Sequence, residues 1–151
     1  MSGYKRPVSV LVVIHTPTLE VLLIERRAHP GYWQSVTGSQ EDHETLVETA
    51  RREVAEETGL QAAEYRLRDW QVTNTYEIFP EWRHRYAPGV THNTEHVFGL
   101  LVPAPLPVVI APAEHRAWQW LPWRDAAEKC FSWSNRDAIL QLPQRLPTAT
   151  P

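Results

Sequence analysis

Residues 38–60, GSQEDHETLVETARREVAEETGL, constrain this chain more than any other stretch. They read as a loop followed by a helix. Thr45 is a good N-cap, and Glu48 three residues later completes a capping box. Residues 46–58 contain neither Pro nor Gly and are mostly good helix formers. Gly59 is suited to φ > 0 and ends the helix. At about 100° per residue, Glu53 and Glu57 share a stripe, and Glu56 lies close to it. Leu46, Ala50 and Val54 run along almost the same side. The acidic cluster therefore borders the apolar face, whereas an ordinary amphipathic helix separates the two. Like charges at i,i+4 cost a few tenths of a kcal/mol when exposed, and more when desolvated. A hard divalent cation with oxygen ligands removes that penalty, and Mg²⁺ is held by one or two carboxylates plus substrate phosphates. The bland alternative is a solvated Glu/Arg face with Glu48 and Arg52 as an i,i+4 pair.

The full spacing bears on that choice. The stretch resembles the signature of the Nudix hydrolases at Gly38, Glu44, Arg52, Glu53, Val54, Glu56, Glu57, Gly59 and Leu60. The resemblance implies hydrolysis of a diphosphate linkage, an α/β/α sandwich with a mixed β-sheet, and a divalent metal, Mg²⁺ or alternatively Mn²⁺, bound by the Arg-Glu-x-x-Glu-Glu segment. Carried over by position, Glu53, Glu56 and Glu57 are the metal carboxylates, with Glu53 and Glu57 also catalytic. Gly38, Glu44, Arg52 and Gly59 are structural, Glu44 and Arg52 forming a supporting ion pair. Thr37 and His43 stand where many members carry glycine, which alters the loop. A glutamate outside the helix is expected to complete the metal site or act as base. Glu114, ahead of the last strand, is the candidate, with a plain surface glutamate as its alternative.

Size and charge narrow the rest. The chain has 151 residues and reads as one domain over residues 1–142, followed by a polar, Pro-rich tail over 143–151 expected to be disordered. A net charge of −3 argues against a general nucleic-acid-binding surface. The run VSVLVVI is too short for a membrane span, and no signal peptide is read at the start. The single Cys130 has no internal disulfide partner, and a reducing cytoplasm is the simplest compartment. Oligomeric state is not legible.

Taken in order, residues 7–14 and 21–24 are Val-rich apolar runs that read as buried strands. Arg26 follows the second strand. It is either a surface charge or, near a metal–phosphate site, a bidentate phosphate ligand. Lys5 is a candidate substrate-binding residue, with a solvated terminal charge pair beside Arg6 as its alternative. Residues 33–37 lead into the box, where the Thr37 hydroxyl is placed to meet substrate. Residues 67–79 alternate enough for one or two strands. Residues 81–93 read as a loop whose Arg83, His84, Arg85 and His92 are either solvated or a lid over a polyphosphate. Strands are expected over 94–102 and 117–121. Helices are expected from Pro122 to about Cys130, and from Asn135 to Leu142 with Ser134 as cap.

Beyond the box, YKRPVSVLVVI, YWQSVTGS, EIFPEWRHRYAPGVTHNTEHVFGL and SWSNRDAI resemble a bacterial branch of the same family. That branch hydrolyses dihydroneopterin triphosphate to the monophosphate and pyrophosphate in folate synthesis. This resemblance implies a small-molecule triphosphate as partner. The pterin ring calls for an aromatic face, from Tyr76, Phe79 or Trp33, and for polar groups to read its edge. Ser132 and Asn135 are the candidates for the polar role, with helix capping as the alternative. A broad nucleoside triphosphate pyrophosphatase and a non-catalytic nucleotide-binding module of the family stay open beside this reading.

Overall fold

The computed structural model describes residues 3–146. Four of its strands make up most of a mixed sheet: β1 (Val8–His15), β2 (Glu20–Arg26) and β6 (His92–Leu101) inside it, and β5 (Arg66–Glu77) at one edge. The sheet runs β3-β2-β1-β6-β5, with β3 at Trp33–Gln34, while β4 (Val36–Ser39) also pairs with β1 and β7 (His115–Pro122) with β2. β1 and β6 are parallel from Val8↔Thr94 to His15↔Leu101, and the other pairings are antiparallel.

Both faces of the central strands are covered, which is why β1 is apolar without a break. Helix α1 (Leu46–Thr58) packs Ala50 and Val54 with Val10, Val12, Ile14, Phe98 and Leu100 on one face. On the other face, α2 (Trp123–Lys129) and α3 (Trp133–Leu140) contribute Ala126, Ala127, Ala138 and Ile139 against Leu11, Val13, Leu23 and Val97. The result is the α/β/α sandwich with a mixed sheet expected from the sequence. No helix among the described residues is long and apolar enough to cross a membrane.

Helix α1 begins and ends as its sequence dictates. Thr45 Oγ1 accepts from the Glu48 amide, the Glu48 carboxylate accepts from the Thr45 amide, and Gly59 closes the helix at φ 74°. Because Glu48 is used in this box, Arg52 turns instead to Glu44, and the Glu48–Arg52 pair does not form.

Four local expectations need correction. The last helix starts at Trp133, because Ser132 rather than Ser134 supplies the cap by accepting from the Asn135 amide. Ser134 is buried inside that helix. The expected tail opens with a further turn, α4 (Leu142–Arg145), which Pro143 tolerates because it stands in the first turn. Residues 147–151 lie outside the described residues. The segment after Phe79 is not loop throughout, since Pro80–Arg85 forms a 3₁₀ helix before β6 begins at His92.

Candidate active site

The site is built where three elements end. The loop after β4 carries the residues that precede α1, β2 ends at Arg26, and β7 starts at His115. The β2–β7 register shifts between Glu25 and Arg26, so that Glu25 pairs with Ala117 but Arg26 with His115. Such a bulge re-aims side chains at a sheet rim. Here it brings Arg26, Glu114 and His115 to a cleft of about 890 Å³, also lined by Lys5, Thr37, Gly38, Arg52, Glu53, Glu56, Glu57 and Arg85.

The acidic wall is organised by Arg52. Its Nε donates to Glu44 Oε2 at 2.6 Å and its Nη2 to Glu44 Oε1 at 3.0 Å, with Nη2 also donating to the Ser39 carbonyl at 3.0 Å. The guanidinium holds the Glu44 carboxyl down at about 2. Glu44 Oε1 also accepts from Thr49 Oγ1 at 2.9 Å, which ties the loop to the helix. The remaining nitrogen, Nη1, reaches Glu53 Oε1 at 2.7 Å and Glu56 Oε2 at 3.4 Å. Glu53 is pressed against the loop, where a Cβ added at Gly38 would lie 2.0 Å from its Cδ.

Glu57 is the most constrained carboxylate. It is 2% exposed, and its Oε2 has no hydrogen-bond partner among the described residues. Burial, and then the neighbouring Glu53 carboxyl, push its pKa well above the ordinary range, and burial raises Glu53 as well. Donor atoms of Glu57, Glu114 and His115 all lie within 4.8 Å of one another. Burial holds the His115 imidazole near 4, so the ring is neutral at neutral pH and able to donate a lone pair. The orphaned Glu57 oxygen and this donor set fit a divalent cation.

The opposite wall is basic. Burial, and then the neighbouring Arg85 guanidinium, lower both Lys5 and Arg26. The Arg26 guanidinium stacks 4.7 Å from the Trp82 ring centroid, which fixes its plane. Cations gathered in this way call for an anion of several charges.

The expected site residues divide accordingly. Glu53, Glu56, Glu57, Glu114, Lys5, Arg26 and Thr37 share the cleft, where Arg52 also pairs with Glu53 and Glu56. Of the basic segment, Arg85 lines the cleft, while Arg83 is tied to Glu77 and to the Ile78 carbonyl. Ser132 Oγ caps α3 by accepting from the Asn135 amide and also accepts from Asn135 Nδ2 at 2.7 Å, while Asn135 Oδ1 accepts from the Ser35 amide. The Trp33 ring is covered by Lys129 at 4.8 Å. Tyr76 and Phe79 stand at the end of β5, with Phe79 42% exposed. His115 escapes the sequence reading, since nothing but its position beside Glu114 marks it.

A NUDIX domain model matches residues 5–142. The chain belongs to the Nudix family. It is 50% identical over 142 residues to the dihydroneopterin triphosphate diphosphatase of Escherichia coli K12, covering 92% of this chain and 93% of that one. A Haemophilus influenzae protein of the same name is 41% identical over 92% of this chain and 89% of its own. The solved structure of the E. coli dihydroneopterin triphosphate pyrophosphohydrolase superposes with a TM-score of 0.88 at 48% identity, covering 96% of this chain and all (100%) of that one. The chain is thus a Nudix hydrolase, and divalent cations are the general cofactors of that family.

Proposed function

We propose that this Nudix hydrolase converts dihydroneopterin triphosphate to dihydroneopterin monophosphate and pyrophosphate, with Mg²⁺ as its cation and Mn²⁺ as a substitute. The observation that carries the reading is the cleft itself, with carboxylates led by the buried Glu57 facing a basic wall of Lys5, Arg26 and Arg85, in a chain 50% identical to an enzyme named for that substrate. Glu57 and Glu114, with Glu53 and Glu56 beside them, hold the cation. A bound cation supplies charge neutralisation on the phosphates and acidifies a water. Arg26 and Lys5 bind the phosphate chain and leave it little freedom to turn. Arg52 stabilises the acidic wall before substrate arrives and keeps Glu44, the loop and α1 in register. Glu114, exposed at the mouth of the cleft, takes the proton of the attacking water. The cytoplasm is the compartment proposed for this reaction.

Product analysis tests the reading. Dihydroneopterin triphosphate should be consumed faster than ATP, CTP, GTP or UTP, with one pyrophosphate released per turnover and chelator abolishing release. Equal rates on all five would make the enzyme a general nucleotide pyrophosphatase. Absence of turnover on any of them would make it a binding module.

A further inference from the structure

A second buried carboxylate lies on the other face of the sheet from Glu57. Glu95, in β6, is 2% exposed, and its Oε1 has no hydrogen-bond partner among the described residues. Its hydrogen-bond partners are neutral: Ser134 from α3, and Asn74 and Tyr76 from β5. A buried carboxylate kept for stability is normally paired with a cation or saturated with donors. Among the described residues no cation pairs with this one, and its Oε1 is left open while its three donors gather elsewhere on the carboxyl. Two residues along the same strand, Asn93 is 3% exposed and its Oδ1 also lacks a partner. The Asn93 Nδ2 is pinned by donating to Ser9 Oγ at 2.7 Å and Tyr76 Oη at 3.1 Å, which holds Oδ1 in a fixed direction. Two oriented acceptors without donors therefore stand side by side on one face of β6.

The register connects them to the cleft. Ser39, which lines the cleft, pairs with Ser9 across β4 and β1, and Ser9 pairs with Glu95 across β1 and β6. Two strand spacings put Glu95 roughly 10 Å from Ser39. That is the reach of a fused bicyclic ring and its short side chain from a phosphate group held in the cleft. Exposed aromatic rings accompany the path. Trp133, 45% exposed, meets Tyr76 edge-on at 6.4 Å, and Phe79 follows β5 at the same end.

We propose that Glu95 is the specificity residue for the heterocycle. Its carboxylate, beside the Asn93 amide oxygen, accepts the adjacent ring N–H and exocyclic amino donors of an aminopyrimidinone edge. The proposal rests on the reading of the protein as a hydrolase of a pterin triphosphate. The same donor edge is present in guanine and absent from adenine and hypoxanthine, so it names a chemistry that a pterin and a guanine nucleotide share. A site built to hydrogen-bond a group rejects the analogue lacking it strongly, because its own buried acceptors are then left unpaired.

The experiment measures kcat/KM of the full-length enzyme with Mg²⁺ on dihydroneopterin triphosphate, GTP and ITP, for wild type and Glu95→Gln. ITP carries the guanine ring without its 2-amino group. Wild type should use GTP at least ~10-fold better than ITP, and Glu95→Gln should lose at least ~10-fold on both amino-bearing substrates while ITP stays within ~2-fold. A uniform loss on all three substrates, or no loss, overturns the assignment. If the variant does not fold, wild type still decides. Neopterin should inhibit more strongly than the lumazine that has oxygen in place of the 2-amino group, and equal inhibition overturns the proposal. The two readings fail separately. Turnover of the pterin with a uniform Glu95→Gln effect removes this inference alone. A GTP/ITP split without pterin turnover removes the substrate reading and leaves Glu95 as the reader of guanine.

Discussion

Gly38 and Glu53 are in contact closely enough that the loop cannot carry a side chain: a Cβ at position 38 would lie 2.0 Å from Glu53 Cδ and 2.3 Å from Oε1. The glycine is needed here for space, since it is not among the positive-φ positions. The expected outcome for Gly38→Ala is a displaced Glu53, and with it a fall in kcat of about 10²-fold, the scale of losing one preorganised electrostatic group. Circular dichroism and melting should change little, because only the flexible end of Glu53 has to move. Activity within twofold of wild type would show that Glu53 has no fixed place in the reaction.

The Arg52–Glu44 fork gives a second prediction. A bidentate guanidinium–carboxylate pair is not reproduced by an ammonium, which offers point charge without the fork. Arg52→Lys should therefore lose activity by about 10-fold or more and free the loop ahead of α1. Hydrogen exchange is the direct check, with faster exchange expected at Glu41 and Glu44 while the amides of α1 beyond its first turn stay protected. Unchanged exchange in that loop would mean that Arg52 acts only through its charge.

Glu57→Gln tests the cation. The change keeps shape and removes charge, and the fold should survive it, because the charged form of Glu57 is already disfavoured by burial. Turnover should fall by at least ~10²-fold, and Mn²⁺ affinity, followed by the EPR signal of the free ion, should weaken in parallel. Full activity with normal Mn²⁺ binding in this variant would falsify the metal assignment.

How much of this was legible beforehand differs between the two faces of the sheet. The box face could be read because its chemistry repeats along one helix: Thr45, Glu48 and Gly59 set the ends, and Glu53, Glu56 and Glu57 break the usual separation of charge from core. The Arg26 side could be read only in part. What brings Arg26 to Glu57 is a one-residue bulge against β7, and a bulge leaves no trace in hydrophobic alternation. His115 was invisible for the same reason. On the other face, Ser132 could be a ligand or a cap on sequence grounds; its Oγ caps α3 by accepting from the Asn135 amide, and those bonds leave its O–H donor uncommitted. Asn93 and Glu95 became meaningful only when three strands were laid side by side, since their partners Ser9 and Tyr76 are far away in the chain.

Arg26→Ala separates phosphate binding from fold. The side chain stacks on Trp82 and faces Glu57 and Glu114, so its loss removes the proposed phosphate ligand together with a counter-charge. KM for a triphosphate should rise about 10-fold or more, while inhibition by a monophosphate product should weaken less, because fewer charges are then unpaired. Isothermal titration with pyrophosphate and with a monophosphate gives the same comparison without turnover. Equal effects on both ligands would return Arg26 to the status of a surface charge.

The last prediction concerns pH and stability, and it follows from Glu95. Burial pushes its carboxyl up to about 7, against an ordinary value of 4.5. A raised folded-state value means that the native protein holds a proton which the unfolded chain has already released. Between about pH 4.5 and 7 the folded state therefore binds more protons, and stability contributed by this group falls as pH rises through that window. Glu95→Gln removes the titration and leaves a neutral group of similar shape. Wild type and variant should be nearly equal in stability at pH 4, and the variant should be the more stable by up to about 3 kcal/mol at pH 8. Urea denaturation of both proteins at the two pH values measures the difference directly, because every other titrating group is common to the pair and cancels. A variant that is less stable than wild type at pH 8 would mean that donors from Ser134, Asn74 and Tyr76 already satisfy the ionised carboxylate. The acceptors on β6 would then be part of the fold, with nothing left over for a ligand.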